Sequence, residues 1–167
     1  MESYVEIEGI FRDLRFSACH FIPGHDKCSK LHGHDYQLNI KIYGTKDENG
    51  MILDFTHLKE IIREIISIHD HRVLLPAKSR AMTIERKGKE ISVMHSGRHY
   101  LFPAEDCVFC DIENITAELL SEYFCQLLCE KIGNVGNIEA ISCGIAEGTG
   151  QIAWCTKKVK NMREVKT

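Results

Sequence analysis

The sequence of 167 residues predicts an α+β fold, with helices packed on one face of an antiparallel sheet. Segments in which apolar and polar residues alternate, as is typical of half-buried strands, occur near both ends of the chain. Between them lie two segments in which apolar residues recur every three or four positions, the pattern of an amphipathic helix. The predicted order is strand, strand, helix, hairpin, helix, strand, strand.

The N-terminal third of the chain predicts two strands. Residues 3–22 read as one long strand or a bent pair of strands, because apolar residues between Leu14 and Ile22 share one parity. A polar loop, PGHDKCSK, follows. The segment HGHDYQLNIKIYG then alternates again and predicts a second strand, and DENG at 47–50 predicts a turn.

Two apolar stripes predict the helices. Asp54 is placed to cap the first helix, which is expected to end near His69, and the second is expected to end before Gly133. The stripes consist of Leu58, Ile61, Ile62, Ile65 and Ile66 in the first helix, and of Ile115, Leu119, Leu120, Tyr123, Phe124, Leu127 and Leu128 in the second.

Residues 77–110 predict an elaborated hairpin and loop region. MTIERKGKEISVMH is expected to form a hairpin that turns at Lys87–Lys89, and HYLF is expected to add a short strand. Beyond the second helix, two last strands are expected at about 137–147 and 151–160, separated by the Gly-rich turn EGTGQ.

Composition and charge exclude several classes of protein. Apolar residues make up 44% and charged residues 27%, and the formal net charge is −3, which gives no electrostatic reason to expect a nucleic acid or an acidic membrane as partner. No apolar run approaches the roughly 20 residues that cross a bilayer. The segment MESYVEIEG lacks the layout of a signal peptide, so a cytoplasmic location is expected. Without repeats or linkers, residues 1–167 are expected to form a single domain.

The chain has eight cysteines, which are expected to be free thiols because nothing marks the chain as secreted. Cys125 and Cys129 lie one helical turn apart, and Cys143 lies in a strand pattern, so these three are interpreted as small apolar core residues. Cys107 and Cys110 form a lone CxxC that we interpret as part of a structural loop.

Three histidines form the candidate metal site. His32 and His34 project from the same face of a strand, in register with its apolar residues, and His20 has the matching parity on the preceding strand. If the two strands pair antiparallel, the three imidazoles converge. Three neutral nitrogens with an open fourth position are typical of a catalytic zinc site. A histidine in phase with apolar residues can equally be a hydrogen-bonded core residue, and this alternative stays open.

Three further positions carry candidate chemistry. Cys28 lies four residues before His32 in a polar loop with flanking lysines, where a cation lowers a thiol pKa. The alternatives are an incidental exposed cysteine or a fourth metal ligand. Asp70 and His71 could form an acid/base relay, although a histidine at a helix C-terminus beside a surface carboxylate explains the same pair.

Glu147 shares parity with the apolar residues Ile141, Cys143 and Ile145 of a predicted strand. A carboxylate on the apolar side of a sheet is costly unless it is paired. A buried salt bridge is the usual explanation. The functional alternative is a ligand with adjacent N–H donors, such as the edge of a pterin or guanine ring.

These pieces, in this order, resemble the 6-pyruvoyl-tetrahydropterin synthase superfamily, including its 6-carboxytetrahydropterin synthase branch. The matching segments span nearly the whole chain: FSACH at 16–20, CSKLHGH at 28–34, GMILDF at 50–55, DH at 70–71, EN at 113–114 and Glu147. The CxxxHGH spacing is more similar to the 6-carboxy branch, which is found in microbes that make queuosine or archaeosine.

The resemblance implies a role for each matching residue. It implies that His20, His32 and His34 bind Zn²⁺, that Cys28 is the catalytic base, and that Asp70 with His71 relays protons. It further implies that Glu147 anchors the pterin ring, with Glu113 and Asp111 among the substrate contacts.

The fold that the resemblance implies is the tunnelling fold, in which subunits join their sheets into a barrel, commonly as a homohexamer of two stacked trimers. Active sites then lie between subunits. The implied reaction converts 7,8-dihydroneopterin triphosphate to 6-carboxy-5,6,7,8-tetrahydropterin with loss of triphosphate and acetaldehyde. The alternatives are a 6-pyruvoyl-tetrahydropterin synthase or related pterin side-chain lyase, and a non-catalytic zinc-binding assembly module.

The chain departs from the family pattern at Cys110-Asp111-Ile112. Many relatives carry hydroxyl residues just before the Glu-Asn pair, where they help to hold the pterin. The region 77–110 also exceeds the compact core of the family. These differences affect the expected wall of the ring-binding site, and they leave the zinc ligands and the base untouched.

Overall fold

The computed structural model describes residues 3–133 and 135–159. Their strands are β1 (Tyr4–Ile7), β2 (Arg15–His20), β3 (His32–Gly44), β4 (Arg72–Pro76), β5 (Thr83–Lys87), β6 (Glu90–His95), β7 (Arg98–Pro103), β8 (Cys107–Cys110), β9 (Ile138–Gly148) and β10 (Gln151–Lys158). Their helices are α1 (Gly9–Arg12), α2 (Phe55–His69) and α3 (Ala117–Ile132), with a 3₁₀ turn at Ala104–Asp106.

The main sheet contains seven strands in the order β10-β9-β3-β2-β4-β8, and β1 also pairs with β3. The pairings of β1, β2, β3, β9 and β10 are antiparallel, which confirms the predicted α+β class. At one edge, however, β4 runs parallel to both β2 and β8. The sheet is therefore mixed at that edge, where β2 and β4 both run antiparallel to β3.

The long strand β3 supports both N-terminal strands. Its first half pairs with β2, and its second half pairs with β1. Residues 3–22 are thus a bent pair of strands, and the bend consists of α1 followed by Asp13 in the left-handed conformation (φ 54°). Sequence periodicity did not predict α1, since four residues are too few to establish a helical period.

Helices α2 and α3 pack on one face of the main sheet, as predicted. The Asp54 carboxylate accepts a hydrogen bond from the Thr56 N–H at 2.6 Å, and the Thr116 hydroxyl accepts one from the Leu119 N–H at 3.3 Å. The helices end at His69 and Ile132. The buried side chains between helices and sheet include Phe16, Tyr36, Leu38, Ile40, Ile62, Ile65, Phe124, Leu128, Cys143 and Ile145.

A second sheet covers part of the opposite face. Strands β5, β6 and β7 form an antiparallel sheet in the order β5-β6-β7. It packs through Ile91 and Val93 against Phe21, Val73 and Leu75. The predicted hairpin at Lys87–Lys89 is confirmed, and the HYLF segment lies in β7.

Strands β4 and β8 were not predicted. The RVLLP segment of β4 is a nearly continuous apolar run because Leu74 faces the helices while Val73 and Leu75 face the second sheet. Cys107 and Cys110 begin and end β8, so the interpretation of this CxxC as a loop was wrong. All eight cysteines are free.

The C-terminal hairpin matches its prediction closely, with β9 at Ile138–Gly148 and β10 at Gln151–Lys158. The predicted end of the last strand at residue 160 lies outside the described residues. No helix in the described part of the chain is long and apolar enough to cross a membrane.

Candidate functional site

The pairing of β2 with β3 brings the three predicted histidines together. His20 lies directly opposite His32, and Ala18 lies opposite His34, so His34 is one step along the same face from His20. The ring centroids of His20 and His32 are 4.4 Å apart, and those of His20 and His34 are 5.2 Å apart. One ring nitrogen from each lies within 4.8 Å of the others. The predicted convergence is confirmed.

Backbone carbonyls orient two of these rings. The Nδ1–H of His20 donates to the Ile115 carbonyl at 2.7 Å, and the Nδ1–H of His32 donates to the Lys30 carbonyl at 2.8 Å. Since a carbonyl oxygen only accepts, each ring carries its proton on Nδ1 and leaves the Nε2 lone pair free. An outer carbonyl that fixes the tautomer of a histidine is a recurrent feature of metal sites.

The innermost ring, His20, is fully buried and neutral. Its pKa is lowered to about 4, first by burial and then by the neighbouring His32 and His34, although the hydrogen bond to Ile115 acts in the opposite direction. Its Nε2 has no hydrogen-bond partner among the described residues. A buried nitrogen without a partner is costly, and a metal ion bound by the three rings would satisfy it. These residues therefore fit a zinc ion, which needs nitrogens about 3.4 Å apart.

Gly33 allows the two strands to approach at this point. A Cβ atom at this position would lie 3.0 Å from the Ala18 carbonyl oxygen. A larger residue would push β3 away from β2 and separate His20 from the rings on either side of Gly33. The glycine of the HGH segment is thus explained by close strand packing.

Glu147 extends the site across β3. Gln37 pairs with Ala146, so Glu147 lies level with Tyr36 in the continuation of that register. Its Oε2 is 4.0 Å from the Nε2 of His34, and its Oε1 is buried without a hydrogen-bond partner among the described residues. A close buried salt bridge, the usual explanation for such a carboxylate, is not what the structure contains here.

Cys28 lies in the loop between β2 and β3, and its side chain is half-buried. Its carbonyl accepts a hydrogen bond from the Ile22 N–H at 2.6 Å, and its own N–H donates to His25 Nδ1 at 3.2 Å. A further bond from the Ser29 N–H to the His25 carbonyl, at 3.0 Å, closes the loop on itself. The loop that carries this thiol is therefore a compact hydrogen-bonded turn that begins and ends next to metal-site residues.

Asp70 and His71 form a hydrogen-bonded pair at the start of β4. The Nδ1–H of His71 donates to Asp70 Oδ2 at 2.9 Å, while Asp70 Oδ1 accepts from the Ser17 N–H at 2.8 Å. Partial burial opposes ionisation of Asp70, but these hydrogen bonds outweigh it and lower its pKa. His71 has a positive φ of 57°, and its N–H donates to the Ser17 carbonyl at 2.7 Å.

The pair is accessible and is separate from the histidines. The side chain of His71 is 82% exposed. Within the described ranges, neither residue makes a hydrogen bond or ion pair with Cys28 or with the three histidines. Within one chain the three histidines form one cluster, and among the described residues the Asp70–His71 pair makes no hydrogen bond to it.

Asp111 and Glu113 lie on the exposed turn that follows β8. The Asp111 carboxylate accepts a hydrogen bond from Lys78 Nζ at 2.8 Å and is 74% exposed. Contact of these two residues with a substrate stays a prediction.

A cavity of about 480 Å³ lies beside Glu147. Its other walls come from Ile22, from the first turn of α3 and from β10, including Thr116, Gln151 and Trp154. Sequence reasoning missed Thr116, although a threonine directly before an apolar stripe is a common helix cap. It also missed the Ile115 carbonyl, which no sequence signal could have revealed because every residue carries one.

Comparison with known proteins identifies the family. The family model described as 6-pyruvoyl tetrahydropterin synthase matches residues 9–158. The chain belongs to this family. The match includes the histidines, Cys28, the Asp70–His71 pair and Glu147.

Relatives of the 6-pyruvoyl tetrahydropterin synthase family cover almost the whole chain. A Methanocaldococcus jannaschii protein, provisionally named 6-carboxy-5,6,7,8-tetrahydropterin synthase, is 34% identical over 92% of this chain and 96% of its own length. The 6-carboxy-5,6,7,8-tetrahydropterin synthase of Rickettsia felis is 31% identical over 77% of this chain and 88% of its own. The 6-pyruvoyl tetrahydropterin synthase structure from Plasmodium falciparum superposes with a TM-score of 0.86 at 26% identity, covering 95% and 99% of the two chains. This likeness confirms the tunnelling fold.

The substitution His32→Ala tests the metal site. We expect purified protein to lose bound zinc, with affinity reduced by more than about 100-fold, because even an outer residue that orients a ligand costs up to that factor. Metal content measured by mass spectrometry provides the readout. His57→Ala, at an exposed position of α2, is the matched control and should keep its zinc. Unchanged zinc in His32→Ala would contradict the site.

Acidification of the metal-free protein tests the neutral state of His20. Its pKa is about 4 in the folded chain, against 6.5 for the free group, so the unfolded chain binds the proton first as the pH falls. The resulting stability is complete above pH 6.5 and lost progressively towards pH 4. This contribution of His20 to the free energy of unfolding amounts to ~3 kcal/mol, because each unit of difference between the two pKa values corresponds to ~1.4 kcal/mol.

The variant His20→Asn isolates this contribution. Its amide can still donate to the Ile115 carbonyl, but it does not titrate. In urea unfolding between pH 7 and pH 4, we expect the wild type to lose more stability than the variant. If the free energy of unfolding fell equally with pH in the two proteins, His20 would not be held neutral by the fold.

Proposed function

We propose that this protein is a zinc-dependent lyase that converts 7,8-dihydroneopterin triphosphate to 6-carboxy-5,6,7,8-tetrahydropterin, releasing triphosphate and acetaldehyde. The observation that carries the proposal is the convergence of His20, His32 and His34, in which backbone carbonyls accept from Nδ1 of His20 and His32 and leave their Nε2 atoms towards the cluster. The names of the relatives from Methanocaldococcus jannaschii and Rickettsia felis support the 6-carboxy product.

The three histidines would hold the zinc ion through nitrogen atoms alone. When bound, zinc supplies Lewis acidity that acidifies and orients hydroxyl groups of a ligand. Neutral imidazoles suit this role because they leave the positive charge of the ion uncompensated. His20 meets this requirement through burial, which keeps its ring unprotonated well below neutral pH.

Cys28 is proposed as the base that removes a proton from the substrate side chain. Its loop starts from β2, which carries His20, and returns to β3, which carries His32. Hydrogen bonds within the loop restrict its backbone, which supports a fixed position for the thiol rather than a free segment. A thiolate at this place would benefit from the positive charge of a nearby metal ion.

Asp70 and His71 are proposed as the relay that moves protons on the other side of the substrate. The Asp70 carboxylate accepts the Nδ1–H of His71, which directs the other ring nitrogen outward for proton exchange. The high exposure of His71 favours a site that another subunit completes, because a relay histidine normally works in a water-poor cavity. We therefore propose a homohexamer of two trimers in which Cys28 and His71 of one site come from different chains.

Glu147 is proposed as the anchor of the pterin ring. The 2-amino-4-oxo edge of a pterin offers two adjacent N–H donors, which a carboxylate can accept together. The cavity of about 480 Å³ next to Glu147 supports this role, since it lies within the size range of small-molecule sites. Thr116 at its wall could add a hydroxyl where the Cys110-Asp111-Ile112 stretch lacks one.

A 6-pyruvoyl-tetrahydropterin synthase is the second candidate. It is favoured by the Plasmodium falciparum structure, which carries that name and superposes over 95% of this chain. A non-catalytic zinc-binding assembly module is the third. The presence of Cys28, Asp70 and His71 together argues against it, because binding alone does not require an acid/base set.

Product analysis distinguishes these candidates. We expect zinc-loaded protein incubated with 7,8-dihydroneopterin triphosphate to release acetaldehyde and the 6-carboxy product, identified by mass spectrometry. Cys28→Ala should lower kcat by at least about 100-fold, the lower end of what general base catalysis contributes. Cys155→Ala, at a half-buried position on β10, is the control and should retain activity. A pyruvoyl product without acetaldehyde would favour the second candidate. Full activity of Cys28→Ala would show that Cys28 is not the catalytic base.

Mixing two inactive variants tests the shared site. If Cys28 and His71 act across subunits, unfolding and reassembling Cys28→Ala together with His71→Ala should restore activity at roughly a quarter of the sites, as random mixing in a symmetric oligomer predicts. Each variant reassembled alone is the control. Mixed oligomers without activity, despite confirmed subunit exchange, would place both groups in one chain.

A further inference from the structure

We propose that Tyr36 is a positioning residue for Glu147, and that its hydroxyl donates a hydrogen bond to the buried oxygen of that carboxylate when a ligand binds. The inference rests on the proposed function, in which Glu147 anchors the pterin ring. Tyr36 lies two residues after His34 on β3 and has no part in the chemistry described above.

Two residues that are level across β3 and β9 each carry a buried oxygen without a partner among the described residues. Tyr36 is fully buried, and neither its hydroxyl nor Glu147 Oε1 has a hydrogen-bond partner in the part of the chain that is described. Leaving a buried polar atom unpaired costs about 1–3 kcal/mol, so such atoms are rare in native proteins. One of the two is a donor and the other an acceptor, and each is therefore a suitable partner for the other.

The strand register places them next to each other. Tyr36 and Glu147 are level across β3 and β9 and project from the face that carries the helices. The pKa of Tyr36 also reflects the closeness of the two residues. Burial raises the pKa of Tyr36, and the negative charge of Glu147 raises it further as the largest contribution from any neighbouring group. A tyrosine held protonated beside a carboxylate is a hydrogen-bond donor at neutral pH.

The ring of Tyr36 is held firmly, so the adjustment would come from Glu147. Tyr36 stacks on Phe16 with ring centroids 5.0 Å apart and lies 5.5 Å from the ring of His34. The Glu147 side chain has three rotatable bonds and stays about one-fifth exposed. Rotation about these bonds is the movement that would bring Oε1 to the Tyr36 hydroxyl.

This hydrogen bond would leave Oε2 as the atom that faces His34 and the cavity. The Tyr36 hydroxyl would then hold the plane of the Glu147 carboxylate through Oε1, which reduces the entropy that the side chain loses when a ligand binds. The partly buried hydroxyl of Tyr123, in contrast, already has a partner in His69 Nε2 at 3.2 Å.

A double-mutant cycle tests the proposal, with neopterin as a fluorescent probe and zinc-loaded protein. Tyr36→Phe should weaken neopterin binding about tenfold, the effect of losing one hydrogen bond to a charged acceptor. Zinc content should stay at the wild-type value and the melting temperature should not fall, because phenylalanine preserves the stack on Phe16 and removes a hydroxyl that has no partner before the ligand binds. Tyr43→Phe, on the same strand and the opposite face, is the control and should bind normally.

The second arm uses Glu147→Gln, which should itself weaken binding. In that background Tyr36→Phe should cost less than about threefold, because a neutral amide accepts only about half as strongly as a carboxylate. Equal effects of Tyr36→Phe in both backgrounds would overturn the inference, and so would no effect in the wild type. A folding defect would weaken binding equally in both backgrounds, so it counts against the proposal. Normal neopterin binding by Glu147→Gln would instead overturn the proposed anchor itself.

Discussion

The antiparallel register between β2 and β3 is the constraint on which the rest of the site depends. It sets His20 opposite His32 and brings His34 onto the same face. The strand separation that allows this depends on Gly33, where a Cβ atom would meet the Ala18 carbonyl. A shift by one residue would turn both β3 histidines to the other face of the sheet. The loop between the strands, with its internal hydrogen bonds, helps to exclude such a shift.

Burial and charge act together at this register. The fold keeps His20 neutral by removing it from water, and it places a carboxylate, Glu147, on the far side of His34. Neutral nitrogens and a partly buried anion in the same small volume are suited to a cation and to ligand N–H groups. Within residues 3–133 and 135–159, neither the His20 imidazole nor the Glu147 carboxylate has all of its hydrogen-bonding atoms paired.

Residue parity was sufficient to predict the centre of this site. The alternation that puts His32 and His34 in phase with Tyr36 is visible in the sequence, and so is the cap at Asp54. Strand β4 was missed because both of its faces are covered, which removes the alternation that identifies a strand, and β8 was missed because its four residues are too few to establish one. The Ile115 carbonyl that orients His20 was not predictable, since a backbone contact between residues 95 positions apart leaves no trace in residue type. For the same reason, the ion pair of Asp111 with Lys78 emerged only from the fold.

The distance in sequence between His20 and Ile115 also bears on how the protein matures. The histidines are local neighbours, but the group that sets the tautomer of His20 arrives from the turn before α3. Contacts between distant parts of a chain form late in folding, because closing a long loop costs entropy first. The site with its proper tautomers therefore belongs to the completed fold. Unlike a zinc finger, in which the ion drives folding, a cluster of this kind would be completed by the fold before any metal ion binds.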